Sequence, residues 1–383
     1  MKLIVPDNND PDLISAFSDL INQDSVHIIK SVYGKPTPSK HYGTGRANIL
    51  FDDISQNDTI ERVNAYKELN VDYEYAMNGI LPNARILNNR NHIIEELKWL
   101  ETSPIKKLII ANYELAQLAI KYAPSLKLII STYAGIDNKV KLLQWSKLAN
   151  IHMVVLDRSI YRKVGELSEI SKEAKKLGIL TCVVANLGCM TNCIRAEEHA
   201  IVKDMASNNR NSLHYAPCTF FCLKYLLENP VEFLKLPIFR PEDLTVLDDI
   251  GIDFVKLVDR TQTTEWIKNV VSHYLYGTYN DNILDLTCNF TREDVDEMTN
   301  EQVASIDMKD TICKRAKVVQ YRKILPELMK VTIDKNFSFI NCGKNCEECR
   351  DRCKFTSSVK YDIERRNIVL DQLNFLENEY LFK

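Results

Sequence analysis

The sequence predicts an α/β protein: a (β/α)8 TIM-type barrel followed by a cysteine-rich C-terminal helical extension. Three observations carry this reading. Short apolar runs rich in β-branched residues recur eight times. Amphipathic stretches of helical period lie between them. After about residue 277 this alternation stops and the pattern changes. An open doubly wound sheet is the alternative arrangement of the same units.

The strand candidates, in order, are Val26–Val32, Val71–Met77, Lys107–Ala111, Leu126–Ser131, His152–Leu156, Ile179–Ala185, Leu236–Phe239 and Asp253–Val258. Most are almost uninterrupted apolar runs, as expected of strands covered on both faces in a parallel sheet. Helical stretches follow at Thr59–Leu69, His92–Leu100, Lys139–Leu148 and Lys163–Leu177. In the last, Glu166, Glu169 and Glu173 alternate with Lys172, Lys175 and Lys176, which gives a solvated outer face. The seventh unit is the weakest. A long irregular segment, Gly188 to Pro230, precedes it and reads as a functional insertion rather than a linker. The expected organisation is therefore a barrel over 1–277 with a cysteine-bearing insertion at 188–230. A helical extension with a four-cysteine metal site follows over 278–383. In that extension Thr291–Met298 reads as a capped helix start, Lys314–Met329 as helix and Tyr361–Leu381 as a closing helix.

Composition narrows the function classes. With 45% hydrophobic residues the chain has ample material for a core, so disorder is excluded as its main state. A net charge of −3 gives no electrostatic case for nucleic acid or a membrane surface. The start, Met1 to Pro6, meets Asp7, Asp10 and Asp12 at once, which leaves no room for the apolar stretch of an export signal. No apolar run approaches the ~20 residues that span a bilayer. The expected location is cytoplasmic, where grouped cysteines bind metal more often than they pair.

Eleven cysteines are many for such a chain. Cys189 and Cys193 form one C-x3-C pair, and Cys218 and Cys222 form another. On a helix, residues four apart share a face, so each pair can aim two thiolates at one point. Four such thiolates suit Zn2+ or an iron–sulfur cluster, and spacing alone does not choose between them. A second group, Cys342, Cys346, Cys349 and Cys353, is separated only by polar and charged residues. Thiols in that setting cannot form a packed apolar stripe, so a second cluster or Zn2+ is expected there. Its first three members have the C-x3-C-x2-C spacing of radical S-adenosylmethionine enzymes. That reading is rejected, because the run follows the whole barrel and Glu348 precedes Cys349 where an aromatic is expected. H-E-x-x-H, G-x-S-x-G and the phosphate-binding G-x-x-x-x-G-K-[ST] are all absent from the sequence. The turn Gly43-Thr44-Gly45-Arg46 reads as a substrate-binding turn with Arg46 for an anion, or as a plain surface turn.

At these cysteine pairs, at Arg240-Pro241-Glu242-Asp243-Leu244 and at Lys256-Leu257-Val258-Asp259-Arg260, the chain resembles the peptidase U-32 (collagenase-like) family. That family includes the anaerobic ubiquinone hydroxylation proteins UbiU and UbiV and enzymes that hydroxylate RNA. The resemblance implies a barrel holding a 4Fe–4S cluster on Cys189, Cys193, Cys218 and Cys222. It also implies hydroxylation without O2, with prephenate as oxygen donor in the better-understood relatives. The family's usual C-x4-G-x-C is C-x3-C here, and Val258 stands where the family often has Glu, so the substrate does not carry over.

Chemistry in such a barrel sits at the C-terminal ends of the strands. Asn78, Asn112, Tyr133, Asp157, Arg158, Asn186, Lys256 and Arg260 fall there. Lys256 interrupts an apolar run and shares a strand face with Arg260, so the two read as a clamp for an anion such as a carboxylate. Lys256, Asp157 and Asp259 are the candidates for catalysis, the two aspartates through proton transfer. Arg46, Asn78, Asn112, Tyr133, Asn186 and Arg260 are the candidates for substrate binding. Three functions stay open: an iron–sulfur redox enzyme, a peptidase, or a non-catalytic cluster-bearing partner of another subunit of the same family.

Overall fold

The computed structural model describes residues 1–35, 42–43, 54–80, 83–208, 216–287, 325–333 and 359–381. Eight strands form a closed barrel in which every neighbouring pair is parallel. They are β1 (Lys2–Pro6), β2 (Ile28–Gly34), β3 (Asp72–Met77), β4 (Lys107–Ile110), β5 (Lys127–Ile130), β6 (Ile151–Val155), β7 (Leu180–Val184) and β8 (Phe254–Lys256). Closure between β1 and β8 leaves the barrel sheet without a free edge.

The helices between strands are α1 (Asp12–Ile21), α2 (Gln56–Glu68), α3 (Asn83–Asn88), α4 (Arg90–Thr102), α5 (Tyr113–Tyr122), α6 (Lys139–Trp145) and α7 (Val164–Lys176). After β7 come α8 (Ala196–Asn208), α9 (Ala216–Glu228) and α10 (Leu244–Asp249), and α11 (Thr264–Tyr276) follows β8. Local signals set the ends of several. Ser55 and Asp58 form a capping box at the start of α2, and Thr263 caps α11. Gly277, at φ 72°, is the left-handed residue that ends α11.

Two differences from the sequence reading concern the strands. The barrel begins with Lys2–Pro6, which carries no strand signal beyond its apolar centre. The predicted seventh strand, Leu236–Phe239, contributes only an isolated antiparallel bridge between Ile238 and Asn186. The predicted sixth strand is therefore the seventh of the barrel. The physical reason lies in the partners. β1 is held by β2 on one side and β8 on the other, so its partners are read from the closed sheet and not from its own five residues.

The main core comprises the barrel interior and the shell between strands and helices. A second apolar core gathers Leu223, Leu226 and Leu227 of α9, Phe233, Leu284, and the C-terminal elements. Those elements are α12 (Leu325–Leu328), the antiparallel strands β9 (Met329–Val331) and β10 (Val359–Tyr361), and α13 (Ile363–Leu381). Of the predicted extension helices, Thr291–Met298 and residues 314–324 lie outside the described residues. So do Cys342, Cys346, Cys349 and Cys353. Among the described residues no helix is long and apolar enough to cross a membrane.

Beside β1, buried charge is paired inside the wall. Asp7, 1% exposed, accepts from Nε of Arg62 at 2.8 Å and also from its Nη2. Tyr73 and Tyr66 donate their hydroxyls to the same carboxylate, at 3.1 and 3.3 Å. Burial and the Asp7 charge push both phenols well above their ordinary range.

Candidate functional site

The C-terminal ends of the strands surround a cavity of about 110 Å3. Tyr33, Ala76, Ile109, Val155, Val184 and Lys256 face it from β2, β3, β4, β6, β7 and β8, and Ser131 faces it from the end of β5. The insertion after β7 adds Leu187, Cys189, Met190, Cys193, Ala196, His199, Ala200 and Cys222 to the lining.

The insertion is tied down on the far side of the mouth. Asp204 of α8, 1% exposed, accepts from the amide of Ile80 at 2.8 Å. Gly79 makes this approach possible, since a Cβ there would lie 2.6 Å from Oδ1 of Asp204. Tyr42 donates to the Gly79 carbonyl at 3.0 Å, so three segments meet beside Asn78.

Cys189, Cys193 and Cys222 are thiols outside any disulfide among the described residues, each partly accessible. Cys193 has its pKa lowered to about 6, first by its hydrogen bond with Cys222. Burial opposes this shift, while the Arg195 amide and the charges of Arg158 and Arg195 add to it. Cys218 lies four residues before Cys222 on α9, and its side chain is outside the description. Among the described residues, no group of three or more His, Cys, Asp or Glu side chains stands close enough to hold a metal ion. The donor set still fits a thiophilic metal in kind, because three thiols share one cavity and two of them are hydrogen-bonded.

Arg158 stands beside these thiols. Its Nε donates to the Met190 carbonyl at 3.3 Å, and Met190 lies between Cys189 and Cys193. Burial disfavours its charge. The neighbouring Cys189, Asp157, Tyr133 and Cys193 outweigh that effect and raise its pKa.

Lys256 and Arg260 face the same cavity from β8 and the turn beyond it. The ammonium of Lys256 lies 3.5 Å from the centre of the Tyr33 ring. Deeper in the barrel is Glu74, fully buried, which accepts from the Ser31 hydroxyl at 2.6 Å. Burial pushes its carboxyl up, and Lys256 pulls it back. Sequence reasoning missed Glu74, although it carries the signal that singled out Lys256: a charge inside an apolar strand.

Asn78 and Tyr133 also line the cavity. Asn78 donates to the Ser131 hydroxyl at 3.5 Å, and its Oδ1 is buried without a hydrogen-bond partner. The structure therefore brings Asn78, Tyr133, Lys256, Arg260, Cys189, Cys193 and Cys222 together.

Other candidates sit elsewhere. Asn112 caps α5, accepting from the amides of Glu114 and Leu115 at 3.0 and 3.1 Å. Asp157 caps the short turn at Arg158–Ile160, accepting from Ser159 at 2.9 Å. Asp259 accepts from the Thr261 amide at 3.2 Å. Asn186 is fully buried and staples β7 to the end of β8. It accepts from the Val258 amide at 2.8 Å and donates to the carbonyls of Val258 and Leu286. None of these four is among the cavity residues. Arg46 lies outside the described residues.

Barrel, mouth and thiol-bearing insertion define a TIM-barrel protein with a cysteine site at the catalytic end of the fold. The sequence matches Peptidase family U32 over residues 38–309, and the chain belongs to that family. An uncharacterized protease of Methanocaldococcus jannaschii is 25% identical over 254 residues, 64% of this chain and 71% of that one.

Proposed function

We propose that the chain is an iron–sulfur barrel enzyme that carries out O2-independent hydroxylation, or a related redox modification, of a small molecule, peptide or RNA. One observation carries the reading: three thiols and three cations from different parts of the chain line a single cavity at the mouth of the barrel. In this reading Cys189, Cys193, Cys218 and Cys222 hold a 4Fe–4S cluster, which supplies one-electron chemistry when bound. Lys256 and Arg260 bind an anionic group of the substrate, and Tyr33 holds the Lys256 ammonium by its ring face. Asn78 offers an acceptor to a substrate donor. A second cluster or Zn2+ belongs to Cys342, Cys346, Cys349 and Cys353.

Anaerobic purification with iron and sulfide counts tests this. The protein should be brown and bleach in air, and Cys193→Ala should lose the barrel cluster. If the tail holds a second one, iron should fall by about half. A colourless anaerobic preparation with zinc at the barrel cysteines overturns the redox reading.

A second reading, hydrolysis, has its own observation. The Cys193 thiol is lowered to about 6 in a cavity that His199 also lines, which suits a thiolate nucleophile. The name of the archaeal relative points the same way. Iron-free protein that cleaves casein, with cleavage abolished in Cys193→Ser, would establish it over the first.

A further inference from the structure

We propose that Arg158 is a positioning residue for the thiol site: it fixes the turn between Cys189 and Cys193 and keeps a permanent positive charge against their sulfurs. This inference rests on the iron–sulfur reading and concerns the chain's own residues around that group. Three observations support it. First, its backbone is set before it reaches the cavity, because Asp157 caps the turn Arg158–Ile160. Second, its Nε crosses from the end of β6 to the insertion and donates to the Met190 carbonyl at 3.3 Å. Third, it lines the cavity with Cys189, Cys193 and Cys222.

A strut alone needs only the hydrogen bond to Met190. The charge has a further effect. Four thiolates around a cluster carry excess negative charge, and reduction adds one more. A guanidinium held in a partly dry cavity favours the more negative state. Arg158 should therefore raise the reduction potential of the bound group and slow the loss of its iron. Glutamine at this position can still donate to Met190 but has no charge. Lysine keeps the charge and loses the fork.

The test uses the full chain loaded anaerobically with ferrous iron and sulfide. The midpoint potential is read by redox titration followed by electron paramagnetic resonance, and iron release to a chelator is timed. R158Q should titrate at a lower potential than the wild type and release iron several-fold faster. R158K should stay near the wild type in both. The proposal is overturned if R158Q matches the wild type, or if R158K shifts as far as R158Q, which would leave shape and not charge as the cause. If R158Q fails to fold, R158M is read by the same two measurements: a lower potential and faster iron release support the role, and wild-type values overturn it. A wild type that takes up no iron overturns the iron–sulfur reading, and this inference with it.

Discussion

The wall beside β1 and the mouth near β6–β8 both bury charge, and they handle it in opposite ways. At the wall, Asp7 is surrounded by Arg62, Tyr66 and Tyr73, all directed at one carboxylate, and none of the four lines the cavity. At the mouth, Arg158 from the turn after β6, Lys256 from β8 and Arg260 from the turn beyond it face a common space with three thiols. A closed network of matched partners is a structural device. Charges of one sign gathered around a space favour an anion there. The contrast separates buried charge matched within the wall from charge gathered around a cavity.

The comparison can be broken at the wall first, where the largest effect is expected. Arg62→Met leaves the Asp7 carboxylate buried without its cation. Chemical unfolding should show a loss of about 3–5 kcal/mol, while iron uptake at the mouth stays as in the wild type. A smaller cost is expected at the staple between β7 and the end of β8. Asn186→Ala strands the amide of Val258 and the carbonyls of Val258 and Leu286, for a loss of about 1–3 kcal/mol.

At the mouth, Lys256→Met should change stability by less than either. The methionine fills the stem's volume, and the loss of Lys256 removes one of the charges that hold the Glu74 carboxyl down against burial. Anionic metabolites should then lose the thermal protection they give the wild type; equal protection of both proteins removes the clamp. In metal-free protein, alkylation of Cys193 should rise as pH passes about 6 and level off above it, since the thiolate is the reactive form. A rise only near pH 9 breaks the picture of a charged mouth.

The smallest effect lies at the floor of the barrel. His27 sits 3.0 Å from the N-terminal ammonium, and burial, then that charge, lowers its pKa. Below about pH 6.5 the unfolded chain takes up this proton more readily than the folded one. Stability should therefore fall with pH by less than about 1.4 kcal/mol per unit, and His27→Gln should flatten the slope.

Much of the barrel was legible because buried parallel strands announce themselves as apolar runs. Lys2–Pro6 did not, since a five-residue strand with a terminal proline looks like a chain start until β8 and β2 flank it. Leu236–Phe239 failed the other way: its apolar residues pack into cores without joining the ladder. The site was legible where a charge interrupts a strand, as at Lys256. It was ambiguous just past the strand ends. There one residue type serves two purposes, lining the mouth at Asn78 and capping a helix at Asn112. Only the direction of the side chain separates them, and linear spacing does not encode it. The insertion could be recognised by its cysteines, but its anchor at Asp204 could not, because Gly79 and Ile80 are far away in sequence.

The shared core of α9 and α13 has a practical consequence for handling the protein. Leu223, Leu226 and Leu227 pack in one cluster with Val369 and Leu373, and Lys224 pairs with Glu377 at 2.7 Å. Cys222 is on that same helix, one residue before Leu223. Trimming the chain at residue 362 strips the support from behind a thiol more than a hundred positions away. A cleavage site or affinity tag placed inside α13 would disturb the cavity through the packing of α9.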